Sequence, residues 1–244
     1  MASGNTGINM DTTPQKVALV TGANKGIGFE ITRQLCFKGY SVWMAARNAS
    51  RLAQSAGMLR GEGHDVIPVE LDVTNPAQLS ALMSRISDEK VTFDALINNA
   101  AVLHDGELNL LEVDGHLMIE TFNTNSVAPL QITRAMLPHM RDGSRIVMMS
   151  SGSGVFCEEL SNWAPVYSMS KTLVNAVTRQ LAPLLKPRNI AINAVCPGWV
   201  KTSMGGPNAN RHVSQGAETP VWLATEVEPT VTGKFWRDKK EIGW

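Results

Sequence analysis

Three glycines in seven residues, Gly22, Gly26 and Gly28, stand where an apolar run gives way to an amphipathic one. The run Lys16-Val-Ala-Leu-Val-Thr21 is short and nearly all apolar, as a strand buried on both faces reads. From Gly26 onward, Ile27, Ile31, Leu35 and Cys36 recur at helical spacing, so a helix begins as the strand ends. Glycine lets such a junction turn tightly and leaves the N–H groups of the helix N-terminus open to a phosphate. The spacing is GxxxGxG rather than the GxGxxG of the ordinary dinucleotide turn. Taken alone, the segment also reads as a tight turn that holds nothing.

The same alternation continues along the chain. Gly39 ends the first helix, and a strand is predicted over 41–46. A helix over 50–60 closes at Gly61, and a third strand covers 65–71. Asn75-Pro76 reads as N-cap and first helical residue of the next helix. A fourth strand over 93–97 stops at Asn98-Asn99, and a long helix is predicted from 114 to 140. A strand over 145–149, a helix over 164–185, a strand over 190–196, a short helix over 218–224 and a last strand over 233–236 complete the pattern. Strands alternating with helices require parallel pairing, because each crossover must lie on a face of the sheet. The expected fold is a doubly wound α/β sandwich of Rossmann type, with three α/β/α layers. Residues 1–15 read as a flexible tail and 16–244 as one catalytic domain.

An apolar fraction of 43% against 18% charged residues gives the chain enough core for that fold. Its 22 lysines and arginines balance 22 acidic residues without a like-charge run, which argues against nucleic-acid partners. No apolar stretch approaches a membrane span, and the first residues lack the apolar core of a signal peptide. Cys36, Cys157 and Cys196 form no CxxC pair, and the five histidines form no HxxH pair, so no metal site is expected. A cytoplasmic enzyme fits these features.

Tyr167-Ser-Met-Ser-Lys171 places a phenol and an ammonium four residues apart, on one helical face. A free phenol has a pKa near about 10, and a neighbouring ammonium stabilises the phenolate. Proton exchange near neutral pH then becomes feasible. A YxxxK pair also occurs on merely solvated helices. Here, however, its helix follows a strand ending in Ser150-Ser151, and the glycine turn lies at the same sheet edge, where open α/β sheets bind ligands.

With these residues in place the chain resembles the short-chain dehydrogenase/reductase family over nearly its whole length. TGANKGIG, Leu71-Asp72-Val73, Asn98-Asn-Ala-Ala101, Asn125, SSGSG, YSMSK and Pro197-Gly-Trp-Val-Lys-Thr202 occur in the family's order. Within the family it is most similar to carbonyl reductases, through Asn24-Lys25, CPGWVKTSMGG and GAETPVWLA. The resemblance implies that Tyr167 exchanges a proton with the substrate oxygen and that Ser151 polarises that oxygen. Ser150 and Ser153 are the alternatives. Lys171 would depress the tyrosine pKa and hold the nicotinamide ribose, and Asn125 would hold a water linking Lys171 to solvent. Asp72 would accept from the adenine amine, Asn98 would support the sheet near the cofactor, and Thr202 would hold the carboxamide. Gly22, Asn24, Lys25, Gly26, Ile27, Gly28, Val73, Ala100, Pro197, Gly198 and Val200 would complete the dinucleotide site.

Two departures from the family stand out: NNAG reads NNAA at Ala101, and the interval from Ser151 to Tyr167 is a few residues longer than usual. Val155 to Leu160 is expected to line the substrate entrance, with Trp163 and Trp199 flanking the pocket. Cys157 reads as a small loop residue and His104 as a solvated one, although His104 and Asp105 are placed to touch substrate. This chain also lacks the long insertion of monomeric carbonyl reductases, so a homodimer or homotetramer is expected, pairing through the helices of Asn125 and Tyr167.

Cofactor choice rests on charge. NAD enzymes end the second strand with an acid that binds the ribose hydroxyls. Here Ala46 occupies that position, Arg47 follows it, and Lys25 faces the same ribose from the glycine turn. Two cations beside a 2′-phosphate favour NADPH/NADP+. The expected activity is reduction of small-molecule aldehydes or ketones. Oxidation of a particular secondary alcohol would use the same residues, and a dinucleotide sensor would be expected to lack Tyr167 or Lys171.

Overall fold

Successive residues of the central strands point to opposite faces of the sheet, and both faces are apolar, so each face takes its own layer of helices. Ala18, Val20, Val42 and Met44 pack on one side, Leu19, Trp43 and Ala45 on the other. The computed structural model describes residues 15–104, 109–157 and 163–244. Most of the expected N-terminal tail, Asp105 and the acidic pair Glu158-Glu159 with Leu160 lie outside the described residues.

The strands are β1 (Val17–Thr21), β2 (Ser41–Ala46), β3 (Val66–Glu70), β4 (Phe93–Asn98), β5 (Met140–Met149), β6 (Ala191–Val195), β7 (Phe235–Arg237) and β8 (Lys240–Ile242). They form one sheet in the order β3-β2-β1-β4-β5-β6-β7-β8, parallel throughout except for the antiparallel β7–β8 pair. The winding reverses between β1 and β4, so the ligand crevice of this topology falls at their C-terminal ends.

The helices are α1 (Gly26–Phe37), α2 (Ala49–Gly61), α3 (Pro76–Asp88), α4 (Gly115–Phe122), α5 (Ala128–Met136), α6 (Pro165–Leu185) and α7 (Val213–Thr225). Residues of α1, α2 and α7 cover one face; α3, α5 and α6 cover the other. Asn75 caps α3 as expected, its side chain accepting from the N–H groups of Ala77 and Gln78. Among the described residues no helix is long and apolar enough to cross a membrane.

Four local expectations need correction. Gly61 is still helical, and the left-handed turn that ends α2 falls at Gly63 (φ +85°). The long helix over 114–140 is broken: α4 and α5 are joined by a π-helical turn, Asn123–Val127, and Met140 already belongs to β5. The short helix over 218–224 is the C-terminal part of the longer α7, whose interior Pro220 and Gly216 masked its start in the sequence. Finally, β8 turns back along β7, and its alternation is too short to read among charged residues.

Candidate active site

The glycine turn is fastened to the end of β4. Thr21 Oγ accepts the backbone N–H groups of Asn99 (2.9 Å) and Ala100 (3.0 Å). The Asn99 amide in turn donates to the carbonyls of Thr21 (2.9 Å) and Gly22 (3.2 Å). A Cβ on Gly28 would lie 2.3 Å from the Gly22 carbonyl oxygen and 2.4 Å from Asn99 Nδ2, so no side chain fits there. Gly22 (φ +64°) and Gly26 (φ +56°) take a left-handed backbone, and Gly26 packs against the methyl of Thr202. No side chain caps the N-terminus of α1. Its first N–H groups therefore point from a bare cradle into a cleft of about 590 Å³.

That cleft runs along the strand ends at the reversal point. Gly22, Asn24, Lys25, Gly26, Ile27, Gly28, Arg47, Asp72, Val73, Ala100, Tyr167, Lys171, Pro197 and Thr202 all line it. At its outer end Ala46 and Arg47 leave the edge of β2 without a carboxylate. Asp72 Oδ1 accepts both the hydroxyl (2.7 Å) and the backbone N–H (2.9 Å) of Thr74. These bonds hold its carboxyl below the ordinary carboxylate range, with Arg47 adding a smaller push the same way. Lys25 Nζ donates to Ser203 Oγ at 3.0 Å, drawing the glycine turn toward the loop after β6.

Tyr167 and Lys171 share one face of α6. The ammonium lies 5.4 Å from the tyrosine ring centroid and donates to the Met149 carbonyl at 2.9 Å. Both side chains are buried, and burial lowers the Lys171 pKa to about 8. Ser151 Oγ accepts from the backbone N–H and the hydroxyl of Ser153. Ser150 also lines the cleft, but it is buried and its hydroxyl donates to Asn175 Oδ1 at 2.6 Å.

Asn125 sits in the π turn. Its amide donates to the Val102 carbonyl (2.9 Å) and Ser170 Oγ (3.0 Å), while its Oδ1 accepts from Val102 N (2.8 Å). These bonds fasten the turn to the loop after β4 and to α6. Neither Asn125 nor Asn98 lines the cleft. Asn98 is buried in the sheet, donating to Thr133 Oγ, and it is the neighbouring Asn99 that reaches the glycine turn.

A second cavity of about 1120 Å³ shares Tyr167, Ile27, Pro197 and Thr202 with the first, so the two meet at the phenol. Ser151, Ser153, Gly198 and Val200 line it, and Trp163 and Trp199 flank it as expected. Trp163 meets the Tyr167 ring edge-on at 6.2 Å. His104 also lines this cavity, with Nε2 3.7 Å from Glu120, so it is not simply solvated.

The described part of the expected entrance segment is placed differently. Val155 is buried with Cys196 and Phe235, and Trp244 accepts the N–H of Phe156, so neither residue lines the cavity. Cys157 is exposed, with Gly243 packed on it. Arg237, at the end of β7, forms part of the wall instead. The sequence reading also passed over Thr21, Asn99 and Ser203. Of these only Asn99, second of an asparagine pair at a strand end, carries a local signal.

The chain is similar to several known proteins. Carbonyl reductase [NADPH] 3 of Rattus norvegicus is 34% identical, with 94% of this chain and 98% of the relative covered. Carbonyl reductase [NADPH] 1 of Mus musculus is 32% identical, with 96% and 100% covered. The alignment to the rat protein runs over 277 positions, more than the 244 residues of this chain, so that relative carries segments absent here. The structure of NADPH-bound carbonyl reductase from chicken fatty liver superposes with a TM-score of 0.85 at 26% identity, covering 94% of this chain and 99% of that one. The short chain dehydrogenase family model matches residues 16–212. With its glycine cradle, its Tyr-Lys helix and this match over most of its length, the chain belongs to the short chain dehydrogenase family.

Proposed function

We propose that the protein is an NADPH-dependent reductase of aldehydes and ketones, with Tyr167 as proton donor. The observation that carries this reading is the meeting of two cavities at one buried phenol, four residues from a buried ammonium. The first cavity suits a dinucleotide. Its turn has no room for a side chain at Gly28, its helix N-terminus is uncapped, and Arg47 and Lys25 line its outer end. NADPH-named relatives support the same cofactor.

When bound, the reduced nicotinamide supplies the hydride. Ser151 donates a hydrogen bond to the substrate carbonyl and Tyr167 gives its proton to the developing alkoxide. Lys171 stabilises the phenolate left behind and binds the nicotinamide ribose. Thr202 and the backbone of Pro197, Gly198 and Val200 support the carboxamide side of that ring. Asp72, ionised and aligned by Thr74, accepts the adenine amine. The amide of Asn125 is already committed to Val102 and Ser170, so its backbone carbonyl is the group that would hold a water. Residue 129, whose N–H would answer that carbonyl in an α-helix, is a proline.

Ile119 on α4, Val127 beside it, and Met169 and Leu173 on α6 are apolar and partly or largely exposed. They support pairing of two copies through this side. Light scattering at micromolar concentration should then show more than a monomer.

The test of the activity is a panel of aldehydes and ketones followed by NADPH consumption. Turnover of several, lost in Tyr167→Phe, is the expected result. No turnover of any carbonyl, with oxidation of a secondary alcohol instead, would reverse the assigned direction.

A further inference from the structure

We propose that the second cavity carries an anion subsite built on Arg237 and Arg211, and that the substrate is an apolar aldehyde or ketone bearing a carboxylate. The proposal rests on the reductase reading and names the substrate class of that site.

Both arginines line the cavity, and among the described residues lining it there is no aspartate or glutamate. Each guanidinium lies close against the backbone of a glycine, and Gly198 has a left-handed backbone (φ +77°). A Cβ on Gly152 would stand 2.3 Å from Arg237 Nη2, and one on Gly198 would stand 2.5 Å from Arg211 Nε. Gly152 follows Ser151, and Gly198 follows Pro197, so both planar groups border the place where the carbonyl is polarised. The buried Cys196 sulfur draws the two glycines together, accepting N–H from Gly152 (3.1 Å) and Gly198 (3.4 Å).

Arg211 is held from outside the cavity. Asp238, in the β7–β8 turn, takes both terminal nitrogens of Arg211, one at 2.9 Å, and does not itself line the cavity. Arg237 stands at the end of β7, with Gly152 close beneath its guanidinium. A guanidinium carries five donors in a rigid fork, more than one partner uses, and its planar edge matches a carboxylate. Trp163 and Trp199, in the same wall, are each about half exposed, at 52% and 55%, and the Trp199 indole is locked by its N–H to the Gly205 carbonyl at 2.7 Å. The apolar part of the substrate lies against these indoles. Because Arg237 touches the residue next to Ser151, the carboxylate stands a few bonds from the carbonyl.

The experiment compares β-benzoylpropionate with its methyl ester, in which the ketone is electronically insulated from the change. The substrates are given to the parent, Arg237→Met and Arg237→Lys with NADPH. The expected parent preference for the acid in kcat/KM is about tenfold or more, as one charge-assisted contact implies. It should weaken as salt rises. Arg237→Met should bring the ratio close to one, and Arg237→Lys, which keeps the charge without the fork, should fall between. A parent ratio near one, or a ratio unchanged in Arg237→Met, overturns the subsite while leaving the reductase reading in place. If neither compound is reduced, the reductase reading is judged by the wider carbonyl panel, and the subsite by tryptophan fluorescence of the NADPH-loaded protein. Tighter binding of acid than ester, abolished in Arg237→Met, then supports it. Equal binding overturns it.

Discussion

The Lys171 ammonium reaches the backbone carbonyl of Met149 at 2.9 Å from a side chain with almost no contact with solvent. One acceptor does not replace the lost hydration, and the pKa falls to about 8. Lys171 in the folded protein therefore releases its proton at lower pH than an exposed lysine, which holds it to about 10.4. Reductive kcat/KM should be level below about pH 8 and decline above it, as the charge that supports Tyr167 is lost. Lys171→Met should be slow throughout and lack that decline. The sign for stability is opposite. Between about 8 and about 10.4 the unfolded chain binds more protons at this position, so stability of the parent relative to Lys171→Met should rise with pH. Rate profiles and thermal melts across that range check both limbs.

Tyr167→Phe removes a hydroxyl and leaves a ring of the same shape against Trp163. General acid catalysis is worth about 10²–10⁴-fold, so turnover should drop by at least that factor while NADPH affinity changes little. Steady-state rates set beside cofactor titrations separate the two effects. Retention of more than about a tenth of the activity would remove Tyr167 from the mechanism.

Cofactor choice should follow Arg47. With Arg47 and Lys25 each adding about 1.5–3 kcal/mol to a 2′-phosphate, NADPH should be preferred over NADH by about a hundredfold or more. Arg47→Ala should lower that ratio by about tenfold or more. Lys25 must also let go of Ser203 to reach a phosphate, so Lys25→Ala should cost less than Arg47→Ala. Ratios of kcat/KM for the two cofactors measure this, and near-equal values in the parent would count against it.

Gly28→Ala adds one carbon atom where the Gly22 carbonyl and the Asn99 amide leave no space. Overpacking of this kind costs about 1–3 kcal/mol. The melting temperature should fall, and NADPH binding should weaken by more than in Gly39→Ala. Gly39 also has a left-handed backbone, yet open space surrounds its Cβ position, and it lies before the start of β2, at the end of the strand away from the cleft.

The sheet was legible because most strands read as short apolar runs closed by a polar or turn-forming residue. Those signals are local, and seven of the eight strands followed from them. The dinucleotide cradle was legible for the same reason: Gly22 through Gly28 is one continuous segment. What escaped depends on residues that meet only after folding. Nothing near Thr21 announces that its hydroxyl receives two N–H groups from a strand 78 residues away. Arg237 becomes a cavity wall only because β7 joins the sheet beside β6. The two asparagines at the end of β4 show the limit most plainly. The sequence singles out Asn98, but strand alternation turns it toward Thr133 of α5 and leaves Asn99 to hold the turn.

The π turn at Asn123–Val127 fixes more than the direction of one side chain. A wide turn holds an extra residue, so α5 leaves it rotated by about 100° from where an unbroken helix would have pointed. The segment thus works as a phase shifter. Ile132 and Met136 face the sheet downstream, while upstream His116, Ile119 and Glu120 face the cleft, and with this residue count both hold only because the turn is wide. The same residues wound as an even α-helix would swing one half out of phase with the other. Deletion of one residue between 123 and 127 would turn the wide turn into an ordinary one and leave the two halves in phase. A change that let the full count wind evenly would instead misalign the cleft without touching any group that performs chemistry.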